Sequence, residues 1–216
     1  MTRVLLISGS TRDGSLHTAA LRTAARYAPP EITAVRYDGL ADLPAFVPGD
    51  PAPALAVTNL RRRVLDTDAV LFCTPEYAGS LPGSLKNLLD WLVDGGELTG
   101  RPAAWLSVVA PGQDDGARTG LESVLGHAGA RLLRPACIRV PLEIGTVDGE
   151  GIVTDPRLHV ALQDMLHALM RCLAEPQARP QPSWQAHSSV YPVLQRQDAP
   201  SFRVGGQRPP WAGPVS

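Results

Sequence analysis

The chain is short of lysine: among 216 residues Lys86 is the only one, and arginine supplies the rest of the 20 basic residues. These meet 21 acidic residues for a net charge of −1, so neither sign is in excess. A balance this close to neutrality excludes the usual electrostatic footprint of a nucleic-acid or anionic-membrane partner. No apolar run reaches the roughly 18 residues that a membrane helix needs. The opening Met-Thr-Arg-Val-Leu-Leu-Ile-Ser-Gly-Ser has an apolar stretch too short for a signal peptide. Cysteine is scarce as well. Cys73, Cys137 and Cys172 are odd in number and widely spaced, which gives neither a disulfide framework nor a metal-ligand spacing and points to a reducing cytoplasm.

What the chain does have is apolar segments of two alternating kinds. Arg3 to Ser8, Ile32 to Tyr37, Ala69 to Cys73, Pro102 to Val109 and a stretch around Ala136–Val140 read as five strands. The first and third are continuously apolar, as a sheet covered on both faces requires. Between them, Leu16–Tyr27, Leu55–Asp66, a segment from Ser84 to about Gly96, Ala117–Gly129 and Pro156–Leu173 carry helical spacing. In the second helix, Leu55, Leu60, Val64 and Leu65 are expected inward, and Arg61-Arg62-Arg63 on a solvated face. Asp114 and Asp115 look like the N-terminal cap of the fourth helix. The proline- and glycine-rich segment from Asp38 to Pro53 reads as loop. This alternation predicts an α/β fold: a doubly wound, five-stranded parallel sheet of order 2-1-3-4-5 in three layers. Residues 1–174 form the domain; residues 175–216, with eight prolines, read as a tail that is disordered or draped on the domain or a neighbouring subunit.

Two loops carry the chemistry. Gly9-Ser10-Thr11-Arg12-Asp13-Gly14-Ser15 lies between the first strand and a helix start. Backbone N–H groups point outward at such a junction, and the helix dipole favours an anion there. Ser10 and Ser15 add hydroxyls, and Arg12 can clamp two phosphate oxygens. The loop is neither the G-x-G-x-x-G fingerprint nor a P-loop; a plain serine-capped turn uses the same residue types. The second loop, Thr74-Pro75-Glu76-Tyr77-Ala78-Gly79-Ser80-Leu81-Pro82-Gly83, follows the third strand, and its prolines stiffen both ends. In order 2-1-3-4-5 the first and third strands flank the switch point, so both loops face one crevice.

Residues 74–91 resemble the NADPH-dependent FMN reductases, the flavodoxin-like group that includes chromate, quinone and azo-dye reductases. The family signature is met at Pro75, Glu76, Tyr77, Ser80, Pro82, Gly83, Leu85, Lys86, Asn87, Asp90 and Trp91, and departs at Ala78, where the family has asparagine. The first loop is similar to the family's phosphate loop at Gly9, Ser10, Arg12 and Ser15, with His17 in place of asparagine. The resemblance covers residues 3 to 174. It implies an FMN cofactor with NAD(P)H as co-substrate. It further implies ping-pong hydride transfer to FMN and then two-electron reduction of a quinone, flavin or xenobiotic, in a homodimer or homotetramer. The cofactor-binding residues it implies are Ser10, Arg12, Ser15, Leu16 and His17 on the first loop, Pro75, Glu76, Tyr77 and Ala78 on the second, and Ser107 at the end of the fourth strand. Glu76 and Tyr77 are expected to line the flavin ring, mostly through backbone atoms. No side-chain nucleophile or metal is required, because the flavin carries the reaction. The rival reading is a flavodoxin-like electron carrier without nicotinamide turnover. Such carriers are usually strongly acidic and lack the Lys-Asn-x-x-Asp-Trp helix, whereas this chain is near neutral and has it.

Overall fold

A computed structural model describes residues 1–143 and 145–175. The expected tail at 175–216 lies, beyond Glu175, outside the described residues. The elements run β1 (Thr2–Ser8), α1 (Leu16–Arg26), β2 (Ile32–Tyr37), α2 (Leu55–Leu65), β3 (Ala69–Cys73), α3 (Gly83–Gly95), β4 (Pro102–Ser107), α4 (Asp115–His127), β5 (Arg131–Leu132), β6 (Ile138–Arg139) and α5 (Pro156–Ala174). All sheet pairings are parallel, in the order β2-β1-β3-β4-β5, with β6 also paired to β4. The expected order therefore holds. The fifth position is filled by two short strands instead of the single one expected around Ala136–Val140. A 3-10 turn at Arg134–Ala136 separates them. Pro135 lies inside this turn and has no N–H to give a strand neighbour.

The central strand β1 shows why the apolar runs are continuous. Val4 and Leu6 sink into one core with α1 and α5, while Leu5 and Ile7 join α2, α3 and α4 on the other face. Strand side chains alternate between faces, so a strand covered twice must be apolar at every position. The inward face of α2 differs from expectation. Leu60 and Val64 are buried, but Leu55 and Leu65 are exposed and Val57 completes the stripe. Positions 57, 60 and 64 keep the 3-4 spacing of one helical face; 55 and 65 fall outside it. Of the three arginines there, Arg62 and Arg63 are exposed, while Arg61 is half-buried and bridges to α3 through Trp91 O at 3.0 Å and Asp94 at 3.2 Å.

The Lys-Asn-x-x-Asp-Trp segment of α3 anchors the loop after β2, which itself contains a 3-10 turn at Leu40–Asp42. Asn87 accepts from Phe46 N–H and donates to Pro44 O, each at 2.8 Å, and the Trp91 indole N–H donates to the same carbonyl at 3.0 Å. Lys86 pairs with Asp90 one turn on, at 2.6 Å.

Candidate functional site

The loops after β1 and β3 leave the carboxyl end of the sheet side by side. The Gly9 amide donates to Cys73 O at 2.9 Å, extending the β1–β3 ladder one step beyond the strands. Their approach depends on Gly9 having no side chain. A Cβ there would lie 2.1 Å from Thr74 Oγ1 and 2.6 Å from Thr74 Cβ. Past this point the first loop braces itself with hydroxyls. The Ser10 amide donates to Ser8 Oγ and the Arg12 amide to Ser10 Oγ, both at 3.2 Å, and the Ser8 and Thr18 hydroxyls bond at 2.8 Å. The chain then enters α1 at Ser15, whose side chain makes no capping bond. The amides of Leu16, His17 and Thr18 find no acceptor among the described residues. Arg12 is exposed beside them, on the wall of a cavity of about 310 Å³ that lies between the loops after β1 and β2 and takes in Ser10, Thr18, Arg36, Asp38 and Leu40. Free first-turn amides beside an arginine make an anion cradle.

Residues Tyr77 to Ser80 form a closed turn. Tyr77 N–H donates to Ser80 O at 2.9 Å, and Ser80 N–H to Tyr77 O at 3.0 Å. Ala78 and Gly79 hold φ of 50° and 73°. Two consecutive positive φ values define the turn type that Asn-Gly favours most. Ala78 is the lone non-glycine residue at positive φ among the described residues, where its Cβ crowds the following carbonyl. Replacing Ala78 by Asn is therefore expected to stabilise the protein by about 1 kcal/mol, read from urea unfolding; an unchanged midpoint would refute the strain. The turn also consumes the backbone of Tyr77. What that residue has left for a ligand is its ring, on a residue that is 43% exposed.

Glu76, expected along a flavin ring, serves as a helix cap. Its carboxylate accepts from the Ala117 amide at 2.9 Å and so caps α4 from a different loop. As expected, Asp114 occupies the cap position of α4 and Asp115 its first turn; the Asp114 side chain makes no capping bond, and its carboxylate pairs with Arg139 at 2.8 Å. The loops after β3 and β4 are thus joined. Gly116 fits tightly beneath the turn, where a Cβ would lie 2.1 Å from Gly79 O. A recess of about 10 Å³ between these loops is lined by Thr74, Ser107, Asp114 and Arg118, and the buried Ser107 hydroxyl has no hydrogen-bond partner among the described residues. Pro75 is half-buried at the loop's root.

His17, the second residue of α1, is 9% exposed, and its Nε2 has no partner among the described residues. Burial lowers its pKa to about 4; Asp114 pulls the other way, and Arg12 adds to the depression. The unfolded imidazole, near 6.5, binds its proton more readily than the folded one. Stability is then expected to fall as pH drops from about 6.5 toward about 4, because the unfolded state gains the proton first. Urea midpoints across that range should slope less in His17→Asn than in wild type. Cys73 is fully buried and burial pushes its thiol up, so it behaves as a small hydrophobe. His127, His159 and His167 each bond a carbonyl near by in sequence, at 2.8, 2.7 and 2.7 Å.

The structure therefore brings Ser10, Arg12, Ser15, Leu16 and His17 to one side of the carboxyl end of the sheet, and Pro75, Glu76, Tyr77, Ala78 and Ser107 to the adjoining loops. Sequence reasoning missed Thr74, Asp114 as an ion-pair member, and Arg139. Asp114 and Arg139 are 25 residues apart, and no local pattern links them. No helix among the described residues is long and apolar enough to cross a membrane.

An open parallel sheet of this order, with an anion cradle after β1 and a second loop after β3, defines the flavodoxin-like class of mononucleotide-binding proteins. The sequence profile of the NADPH-dependent FMN reductases matches residues 2–141, and the chain belongs to that family. A NAD(P)H-dependent FMN reductase of Pseudomonas aeruginosa is 33% identical over 175 residues, which span 77% of this chain and 92% of the relative. A quinone reductase of Escherichia coli is 33% identical over 93 residues, 42% of this chain and half of the relative's length. Among solved structures, FerB, a flavoenzyme NAD(P)H:(acceptor) oxidoreductase from Paracoccus denitrificans, superposes with a TM-score of 0.67 at 27% identity, covering 80% of this chain and 97% of its own.

Proposed function

We propose that residues 1–174 form an FMN-dependent NAD(P)H oxidoreductase that reduces a quinone, a free flavin or a xenobiotic by a ping-pong sequence. The observation that carries this reading is the cradle itself: three first-turn amides without acceptors, with Arg12 at their edge and an unpartnered, buried His17 Nε2. First-turn amides without acceptors beside an arginine suit an anion, and here a phosphate. Ser10, Arg12, Ser15, Leu16 and His17 would hold the phosphate end of FMN. Pro75, Glu76, Tyr77, Ala78 and the unpaired Ser107 hydroxyl would face its ring system. When bound, the flavin supplies two-electron chemistry between NAD(P)H and the acceptor. The chain's own part is to orient the cofactor on rigid turns and to keep Cys73 inert beside it. Family membership further supports self-association as a homodimer or homotetramer, and the reduced cysteines fit a cytoplasmic setting.

The test is direct. Protein loaded with FMN should oxidise NADH or NADPH when a benzoquinone is supplied, and double-reciprocal plots should give parallel lines. Intersecting lines would overturn the ping-pong sequence. Failure to retain FMN, or no nicotinamide oxidation, would overturn the assignment and leave the carrier or a non-flavin role.

A further inference from the structure

The Nε2 of His17, buried at the second position of α1, has no partner among the described residues. Three influences keep the imidazole neutral. It is buried, it faces the charge of Arg12 from the preceding loop, and it sits at the positive end of the α1 dipole. One charge opposes them, that of Asp114 at the start of α4, itself paired with Arg139 of β6. A phosphate dianion in the adjacent cradle would add a second negative neighbour and give an Nε2–H an acceptor. An asparagine at this position would offer an amide with no proton to gain.

We infer that His17 takes up a proton as the phosphate of FMN enters the cradle, so that this chain couples cofactor binding to pH. This rests on the flavin reading above. The free chain presents a neutral imidazole and the loaded chain an imidazolium, with the phosphate adding to the negative charge of Asp114 that already favours the proton. The proton comes from the buffer, and no covalent bond changes. By linkage, a group whose pKa rises on binding makes affinity higher in acid, with the gain lost as pH rises through the bound-state value. The flavin phosphate, with a second pKa of about 6, titrates in the same range, so the part owed to His17 is read as the difference from a chain with a non-titrating residue there.

The experiment is calorimetric titration of the full chain with FMN at about pH 6.5, in two buffers of different ionisation enthalpy. Wild type is expected to absorb roughly half a proton or more beyond His17→Asn; taking the difference cancels protons exchanged by the phosphate itself. From about pH 6 to 8 the ratio of the wild-type Kd to that of the variant should rise roughly tenfold. Nitrogen-15 spectra of the imidazole in wild type, with and without FMN, give a readout that needs no variant: the ring pattern should change from neutral to imidazolium. Equal proton uptake in both chains, or a neutral His17 in the loaded protein, would overturn the coupling while leaving FMN binding intact. No binding heat from wild type would instead bring down the flavin reading and this inference with it.

Discussion

Replacing Gly9 by alanine is expected to cost about 2–3 kcal/mol of unfolding free energy and to weaken FMN binding roughly tenfold or more. The reason is space. The new Cβ would sit 2.1 Å from Thr74 Oγ1, 2.6 Å from Thr74 Cβ and 2.9 Å from Leu85 Cδ2. A Cβ is fixed by the backbone and cannot rotate away. Thr74 is 7% exposed and its hydroxyl already donates to Pro75 O at 3.0 Å, so it has little room to yield. The strain must then part the loops after β1 and β3, which is the geometry the crevice depends on. Gly14→Ala is the control. Gly14 has φ of 69° but open space around its Cβ position, so alanine there should cost only about 1 kcal/mol of backbone strain. Urea unfolding reads the stability, and quenching of flavin fluorescence reads the binding. Wild-type affinity in Gly9→Ala would show that the two loops do not share a ligand.

Arg12→Ala should raise the FMN Kd roughly 10- to 100-fold while leaving stability almost unchanged. A charge-assisted bond to phosphate is worth about 1.5–3 kcal/mol. Arg12 is exposed and its side chain has no bonding partner among the described residues, so its loss opens no hole in the fold. Two further readouts separate a phosphate contact from general damage. Riboflavin, which has no phosphate, should bind both proteins alike, and the salt dependence of FMN binding should flatten in the variant. An equal loss for riboflavin would place Arg12 outside the phosphate site.

Much of this architecture was legible because the signals are local. The continuous apolar runs at Val4–Ile7 and Ala69–Cys73 report a sheet covered on both faces, and both strands lie where expected. The prolines and glycines of residues 74–83 mark a stiff loop, and α3 begins directly behind it at Gly83. The misreadings are equally specific. Leu55 and Leu65 are leucines at the ends of a helix whose buried stripe follows Val57, Leu60 and Val64. The fifth strand breaks at Pro135, where a missing N–H outweighed the apolar residues around it. Arg61 looked like one of three equivalent charges until α3 placed Asp94 within 3.2 Å of it.

The sequence by itself determined the order of elements, the two loops and the residues they carry, since strand period, helix period and turn chemistry act over a few neighbours at a time. Only the tertiary structure decided which residues serve each other across those loops. Glu76 caps a helix 41 positions away, Asp114 gives up its cap position's usual bond for Arg139, and Gly9 admits Thr74. Such pairings are set by where the parallel sheet delivers its strand ends. That placement is a property of the whole packed chain, so no short stretch of residues encodes it.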